Sequence, residues 1–259
     1  MSLDQPSKIV KQQTLTRDAF LGGRLIVSQP GNGFRAGLDS VLLGAAVGQA
    51  GSLLDLGAGV GTAALVALAD QPGLTATLVE IDPEMSALAA ENLAANGFGG
   101  RGRVLTLDVA APGKARAAAG LPADHYDAVI ANPPYFVAGS GTAPAAERAA
   151  ARHMEAGDLE RWVKVAATHV ASSGEAIFIL PAESLALALM ALQSRFGGAT
   201  ILPLCPREGA PAARILVRGR KGSRAPLTLL ASRALHGPHG RAFRPEFEAI
   251  FRGEARLDW

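Results

Sequence analysis

Asn132-Pro133-Pro134-Tyr135, with Phe136 after it, is the run of this chain whose residue types could do chemistry. An exocyclic amino group on a planar ring, or an amide, is a poor nucleophile because its lone pair is delocalised into the π system. Two fixed acceptors, the Asn132 side-chain oxygen and the Pro133 backbone carbonyl, can hold both hydrogens of such a nitrogen and leave its lone pair facing an electrophile. Pro134 has no N–H and both prolines fix φ, so the acceptors are rigid before reaction. Tyr135 offers a stacking face, worth roughly 1–3 kcal/mol for a base, and Phe136 can extend it. No strong general base is demanded, since the alkylated amine sheds its proton to solvent or to a nearby acceptor. Taken alone, the run is also an ordinary turn after a strand, so its surroundings must decide.

The second constellation lies upstream. Leu53-Leu54-Asp55-Leu56-Gly57-Ala58-Gly59-Val60-Gly61-Thr62 reads as a buried strand ending in close-set glycines and followed at once by a helix. Glycines there admit a ligand against the backbone, and the helix amino end presents N–H groups to an anion such as a methionine carboxylate. Glu80, followed by Ile81, stands twenty-three residues beyond Gly57 at the end of the next strand, where an acid can accept from ribose hydroxyls. Asp108, followed by Val109, ends the third strand and is placed to accept from an adenine amino group. A tight turn, a surface acid and a helix cap are the plain alternatives. Their coincidence at three strand ends points to a nucleoside cofactor. S-adenosylmethionine fits an amino-nitrogen site, and Asn132 would border it. NAD is the rival, although Gly-x-Gly-x-Gly displaces the third glycine from the dinucleotide spacing.

These residues need a sheet to bring them together. From Gly51 onward, short Leu/Val/Ile runs alternate with Ala-rich stretches of helical length, an α/β pattern. Strands are expected at 52–56, 75–81, 103–107, 126–131, 175–180, 200–205 and 214–219, and helices at 62–69, 83–96, 113–119, 156–171 and 182–196. Asn96-Gly97 and Gly197-Gly198 read as helix stops. Only Pro206 to Ala213 separates the last two strands, too short for a crossover helix, so they should form an antiparallel hairpin at one edge. The expected fold is therefore a Rossmann-like, class I methyltransferase sheet of seven mostly parallel strands. Ahead of it, 1–50 would supply a small hairpin around Leu21 to Leu25 and a helix at 38–48 covering the cofactor side. The catalytic domain would span 51–222 and a basic extension 223–259.

Of the 259 residues, 49% are hydrophobic and 19% charged, a globular balance. Cys205 is the only cysteine, which leaves no intrachain disulfide and no thiolate metal cluster, and no metal is expected. The polar start through Thr16 lacks a signal-peptide core, so a cytoplasmic, non-membrane protein is expected. Net charge is +2, unevenly spread: residues 207–256 hold eleven Lys and Arg against four Glu, while the remainder holds fourteen against nineteen acids. Such a basic last fifth suits a phosphate-tracking surface, and equally a solvated face.

Gly57 to Thr62, Glu80, Asp108 and Asn132 to Tyr135 together resemble the amino-methyltransferases with an Asn-Pro-Pro-Tyr motif. The flanking Gly33-Phe34-Arg35-Ala36-Gly37-Leu38-Asp39-Ser40-Val41-Leu42-Leu43 and Pro206-Arg207-Glu208-Gly209-Ala210-Pro211-Ala212-Ala213-Arg214 resemble the bacterial valine-tRNA anticodon-loop adenine N6-methyltransferase family. The resemblance covers roughly Thr16 to Lys221. It implies that 34–39 closes over the cofactor with Asp39 near its methionine end, Asp39 being equally readable as a helix cap. It also implies a target adenine splayed from an RNA loop. Arg35, Arg152, Arg214, Arg218, Arg220, Lys221 and Arg224 are then candidates for RNA contact. A protein glutamine amide, as in release-factor methylation, and guanine N2 in rRNA pose the same lone-pair problem to the same motif, and an NAD-binding oxidoreductase is the competing class.

Overall fold

The computed structural model describes residues 14–32, 35–134 and 156–259. Two strands, β1 (Leu15–Phe20) and β2 (Leu25–Pro30), pair antiparallel around a turn at Leu21–Gly23, as the Gly22-Gly23 pair predicts. Helix α1 (Leu38–Ala45) follows, then the alternating core: β3 (Ser52–Leu56), α2 (Thr62–Asp70), β4 (Thr75–Glu80), α3 (Pro83–Ala95), β5 (Gly102–Thr106), α4 (Gly113–Ala118), β6 (Tyr126–Ala131), α5 (Ala156–His169), β7 (Val170–Pro181), α6 (Leu185–Leu192), β8 (Phe196–Cys205) and β9 (Arg214–Lys221).

The central strands β5-β4-β3-β6-β7 are parallel, with β9 antiparallel to β7 and β8 antiparallel to β9. The seven expected strands are present in the expected arrangement. Two short strands of the tail, β10 (Thr228–Leu229) and β11 (Arg233–Ala234), add parallel pairs along β8, so that nine strands among the described residues form the sheet and the hairpin's outer edge is covered. Gly197 and Gly198 do not stop a helix, because α6 already ends at Leu192. They lie inside β8, Gly198 at φ +58°, where the register with β9 slips between Gly197 and Thr200.

Each face of the sheet has its own core. One contains α1, α2, α3, the β1–β2 hairpin (Leu21, Leu25, Val27) and the tail (Phe247 and Ile250 of α7, Pro245–Phe251, with Leu257). The other contains α5 and α6 with the opposite side chains of the same strands. The segments before 51 and after 222 thus share a core with the sheet. Asn92 of α3 and Asn96 at its carboxyl cap tie down β2 as a neighbouring strand would: Asn92 accepts from Ser28 N–H (2.8 Å) and donates to Ser28 O (3.0 Å), and Asn96 does the same for Ile26 (2.9 Å each). Asn92 also donates to Val60 O at 3.0 Å, which joins β2 to the glycine loop. At the tail, Leu257 N–H and Trp259 Nε1 donate to Ala45 and Ala46 carbonyls, closing the end of α1.

Candidate active site

β3, β4 and β6 run parallel, so the loops at their carboxyl ends gather on one side, the place where an open α/β sheet forms its crevice. A cavity of about 660 Å³ opens there. Gly57, Ala58, Gly59 and Val60 line it from the β3 loop, Glu80 and Ile81 from β4, Asn132, Pro133 and Pro134 from β6, and Asp39 and Ser40 from α1. Volume and lining suit one small organic ligand beside a second group.

The glycine loop holds its own shape. Gly57 and Ala58 N–H donate to Val79 O (2.8 and 3.0 Å), and Gly59 N–H donates to Glu80 Oε2 (2.8 Å). Gly57 has φ +66°, and a β-carbon there would lie 2.6 Å from Cη2 of Trp162. Glycine is required on both counts. Gly61 and Thr62 start α2 beside the cavity; no side chain caps this helix, and Thr62 Oγ1 is buried without a partner among the described residues.

Asp55 lines the cavity, almost wholly buried. Burial pushes its carboxyl up to about 8 against the pull of the Ala64 amide, with Glu80 adding a smaller rise. Its Oδ2 has no partner among the described residues. Glu80 is buried and shares its oxygens between the Gly59 amide and the Asp82 amide (2.9 Å). A carboxylate keeps further lone pairs for a ligand hydroxyl. Asp39 sits in the first turn of α1 but does not cap it, the cap position being Gly37. Its Oδ2 instead accepts from Arg214 Nε at 2.9 Å, and Arg214 also lines the cavity.

Other expected residues lie elsewhere. Asp108 is exposed two residues past β5, its Oδ1 accepting from Ala110 N–H (2.7 Å), and neither it nor the buried Val109 lines the cavity. Arg35 is held at the hairpin by Asp18 (2.6 Å), whose carboxyl is lowered chiefly by the Gln29 side chain. Arg218, Arg220 and Lys221 occupy the far end of β9, beside Ile177 and Glu175 of β7. Arg214 marks the cavity end, roughly 13 Å from Arg218 and 20 Å or more from Arg220 and Lys221 at strand rise. Arg218 is engaged there by the Trp259 ring and carbonyl, and Lys221 by Asp124 and the carbonyls of Ala167 and Val170. Antiparallel pairing therefore divides the basic residues of β9 between opposite ends of the sheet. Tyr135, Phe136, Arg152 and Phe34 fall outside the described residues, and Arg224 follows β9 at its far end.

Trp162 is the largest of the cavity-lining residues that sequence reasoning missed. On α5 it stands one turn from Leu159 and beside Val163, a spacing that reads as plain core, yet its indole forms the cavity wall against Gly57. Met85 and Leu43 line the cavity as well, with nothing in their local pattern to mark them.

The family described as Methyltransferase small domain matches residues 38–201 of this chain. A tRNA1(Val) (adenine(37)-N6)-methyltransferase of Pedobacter heparinus is 31% identical over 204 residues, 78% of this chain and 83% of that protein. A crystal structure described as a predicted O-methyltransferase, protein Atu636 from Agrobacterium tumefaciens, aligns with TM-score 0.73 and 34% identity, covering 85% of this chain and 98% of that one. The geranyl diphosphate C-methyltransferase of Streptomyces coelicolor, solved with S-adenosyl-L-homocysteine, shares the fold alone at TM-score 0.50 and 13% identity, with 70% of this chain and 76% of that one covered.

Proposed function

Because this chain belongs to the methyltransferase small-domain family and is an S-adenosylmethionine-dependent N-methyltransferase, we propose that its acceptor is the exocyclic N6 amine of an adenine in tRNA. The observation that carries this reading is Asn132-Pro133-Pro134 on the wall of the cavity that the glycine loop and Glu80 also line. The relative of known name acts on tRNA adenine, and an amino-nitrogen motif favours that name over the O-methyl description of the Agrobacterium structure.

The residues fit S-adenosylmethionine. The buried carboxyl of Asp55, with an oxygen lacking a partner among the described residues, suits the α-ammonium, whose charge favours the ionised form, and the uncapped start of α2 suits the carboxylate. Glu80 suits a ribose hydroxyl. When bound, the cofactor supplies an electrophilic methyl on a positively charged sulfur. Asn132 Oδ1 and Pro133 O then accept the two amine hydrogens and orient the nitrogen lone pair, while Pro134 keeps that geometry rigid. Tyr135, next in the motif, is the residue whose type suits stacking on the base. The nitrogen loses one proton to solvent after transfer. Trp162 and Leu43 exclude water from the opposite walls. We place this activity in the cytoplasm, where tRNA is modified; no helix among the described residues is long and apolar enough to cross a membrane.

Incubating the protein with S-adenosylmethionine and unmodified tRNA, then digesting to nucleosides for mass spectrometry, tests the reading. N6-methyladenosine is expected. N2-methylguanosine, methyl transfer to a glutamine peptide instead of RNA, or binding of NAD rather than S-adenosylhomocysteine each overturns it.

A further inference from the structure

We propose that tRNA docks on a basic lobe built from the β8–β9 turn, Pro206 to Ala213, and the tail segment 233–244, at the cavity end of the sheet; this rests on the tRNA reading above. The lobe's position follows from strand pairing. β11 lies parallel to the end of β8 (Arg233 opposite Leu204, Ala234 opposite Cys205), and Leu204 lies opposite Arg214, which lines the cavity. Past β11 the chain therefore runs out beyond the same sheet end that carries Asn132. It then folds back, Phe243 bridging to His236 with the two rings stacked at 4.7 Å.

The two halves of the lobe are fastened together. Arg207 donates to Gly237 O (2.7 Å) and Gly240 O (2.6 Å), His236 N–H donates to Pro206 O (3.0 Å), and Arg244 approaches Glu208 (3.6 Å). Four arginines (207, 233, 241 and 244) stand against one acid, Glu208, in these segments, with His236 and His239 alongside. Arg241, Arg244 and His239 are exposed. Surplus charge on a fixed scaffold is the composition that tracks a phosphodiester backbone. At about 4.8 Å per strand, β8 stands three strands from β6 and β11 four, so the lobe is roughly 15–20 Å from Asn132. That span lets a stem hold the lobe while one loop base is turned out into the cavity. Arg218 and Arg220, equally basic in sequence, belong to the opposite end.

Filter binding of unmodified tRNA between 50 and 300 mM salt, with steady-state methylation of the same RNA, compares wild type with R241A/R244A and with R218A/R220A. R241A/R244A is expected to lose about tenfold or more in tRNA affinity, to flatten the log–log salt dependence by roughly 1 to 2, and to raise KM for tRNA. Its S-adenosylhomocysteine affinity and Tm should match wild type, which excludes misfolding. R241K/R244K should keep most of the affinity, since charge rather than fork geometry is invoked. The proposal is overturned if R241A/R244A binds and methylates tRNA as wild type does, or if R218A/R220A shows the larger loss. Wild type that neither binds nor methylates tRNA would remove the underlying reading itself, an outcome distinct from a silent variant of an active enzyme.

Discussion

The indole of Trp162 lies so close to Gly57 that a β-carbon at 57 would stand 2.6 Å from Cη2 and 3.1 Å from Cζ3, at a backbone φ of +66°. Gly57→Ala should therefore strain the backbone by roughly 1–2 kcal/mol and push the indole off its wall. S-adenosylhomocysteine binding is expected to weaken at least tenfold, measured by calorimetry. If Gly57→Ala binds as wild type does, the wall is not part of the cofactor site.

Asn132 should matter to the transfer step and little to cofactor binding. Asn132→Ala is expected to lower kcat by at least 100-fold, since a positioned acceptor acts in the transition state. S-adenosylhomocysteine affinity should stay within about threefold. Parallel loss of both would give Asn132 a structural role.

Asp55 makes stability depend on pH. Its folded carboxyl is pushed up to about 8, chiefly by burial, whereas an unfolded aspartate ionises near about 4. Between those values the folded chain keeps a proton that the unfolded chain has lost, so stability falls as pH rises across the window, by up to about 1.4 kcal/mol per pH unit, and levels off above it. Tm of the cofactor-free protein from pH 5 to 9 should decline less steeply in Asp55→Asn than in wild type. Equal slopes would show that Asp55 is not the titrating group.

The Asp39–Arg214 pair is a partly exposed bridge, with 22% and 33% of the side chains accessible, and such pairs contribute about 1 kcal/mol or less. Arg214→Ala should shift Tm by no more than about 3 °C. Its place on the cavity wall leads to the expectation of a tenfold or greater loss in kcat/KM for RNA. A large fall in Tm with kcat/KM unchanged would make the pair purely structural.

Trp259 anchors the tail to α1 through Ala46 O (3.1 Å), and its ring carries the Arg218 guanidinium at 4.5 Å. Trp259→Ala should cost about 1–3 kcal/mol, read as a Tm lower by roughly 3–8 °C. Trp259→Phe, which keeps an aromatic face, should recover part of the loss. Equal Tm in all three proteins would show that the tail is held without it, by Leu257 and by Arg256, which donates to Asp70 O at 3.0 Å.

The nine-stranded sheet and its cavity were unequally legible. Periodicity marks buried strands and amphipathic helices because burial itself imposes it. The seven main strands, the glycine loop, Glu80 and the Asn-Pro-Pro run could accordingly be read as local patterns. Asp108 was legible as an acid at a strand end, but its side chain bonds the Ala110 amide two residues on, a local turn that competes with the ligand role. Trp162 had the spacing of core and became a cavity wall only when α5 packed beside β3.

By itself, the amino-acid sequence determined what depends on neighbours in the chain: the α/β alternation, the short antiparallel connection at Pro206 to Ala213, the rigid acceptors of Asn132 and Pro133, and a basic last fifth. Only the tertiary structure decided which of those basic residues share an end of the sheet with Asn132. Arg214 and Arg220 are six residues apart on one strand and stand roughly 20 Å apart in space, while Arg214 and Asp39, far apart in the chain, touch. The reason is physical: an extended strand separates near neighbours along its length, and strand pairing and helix packing bring distant residues together.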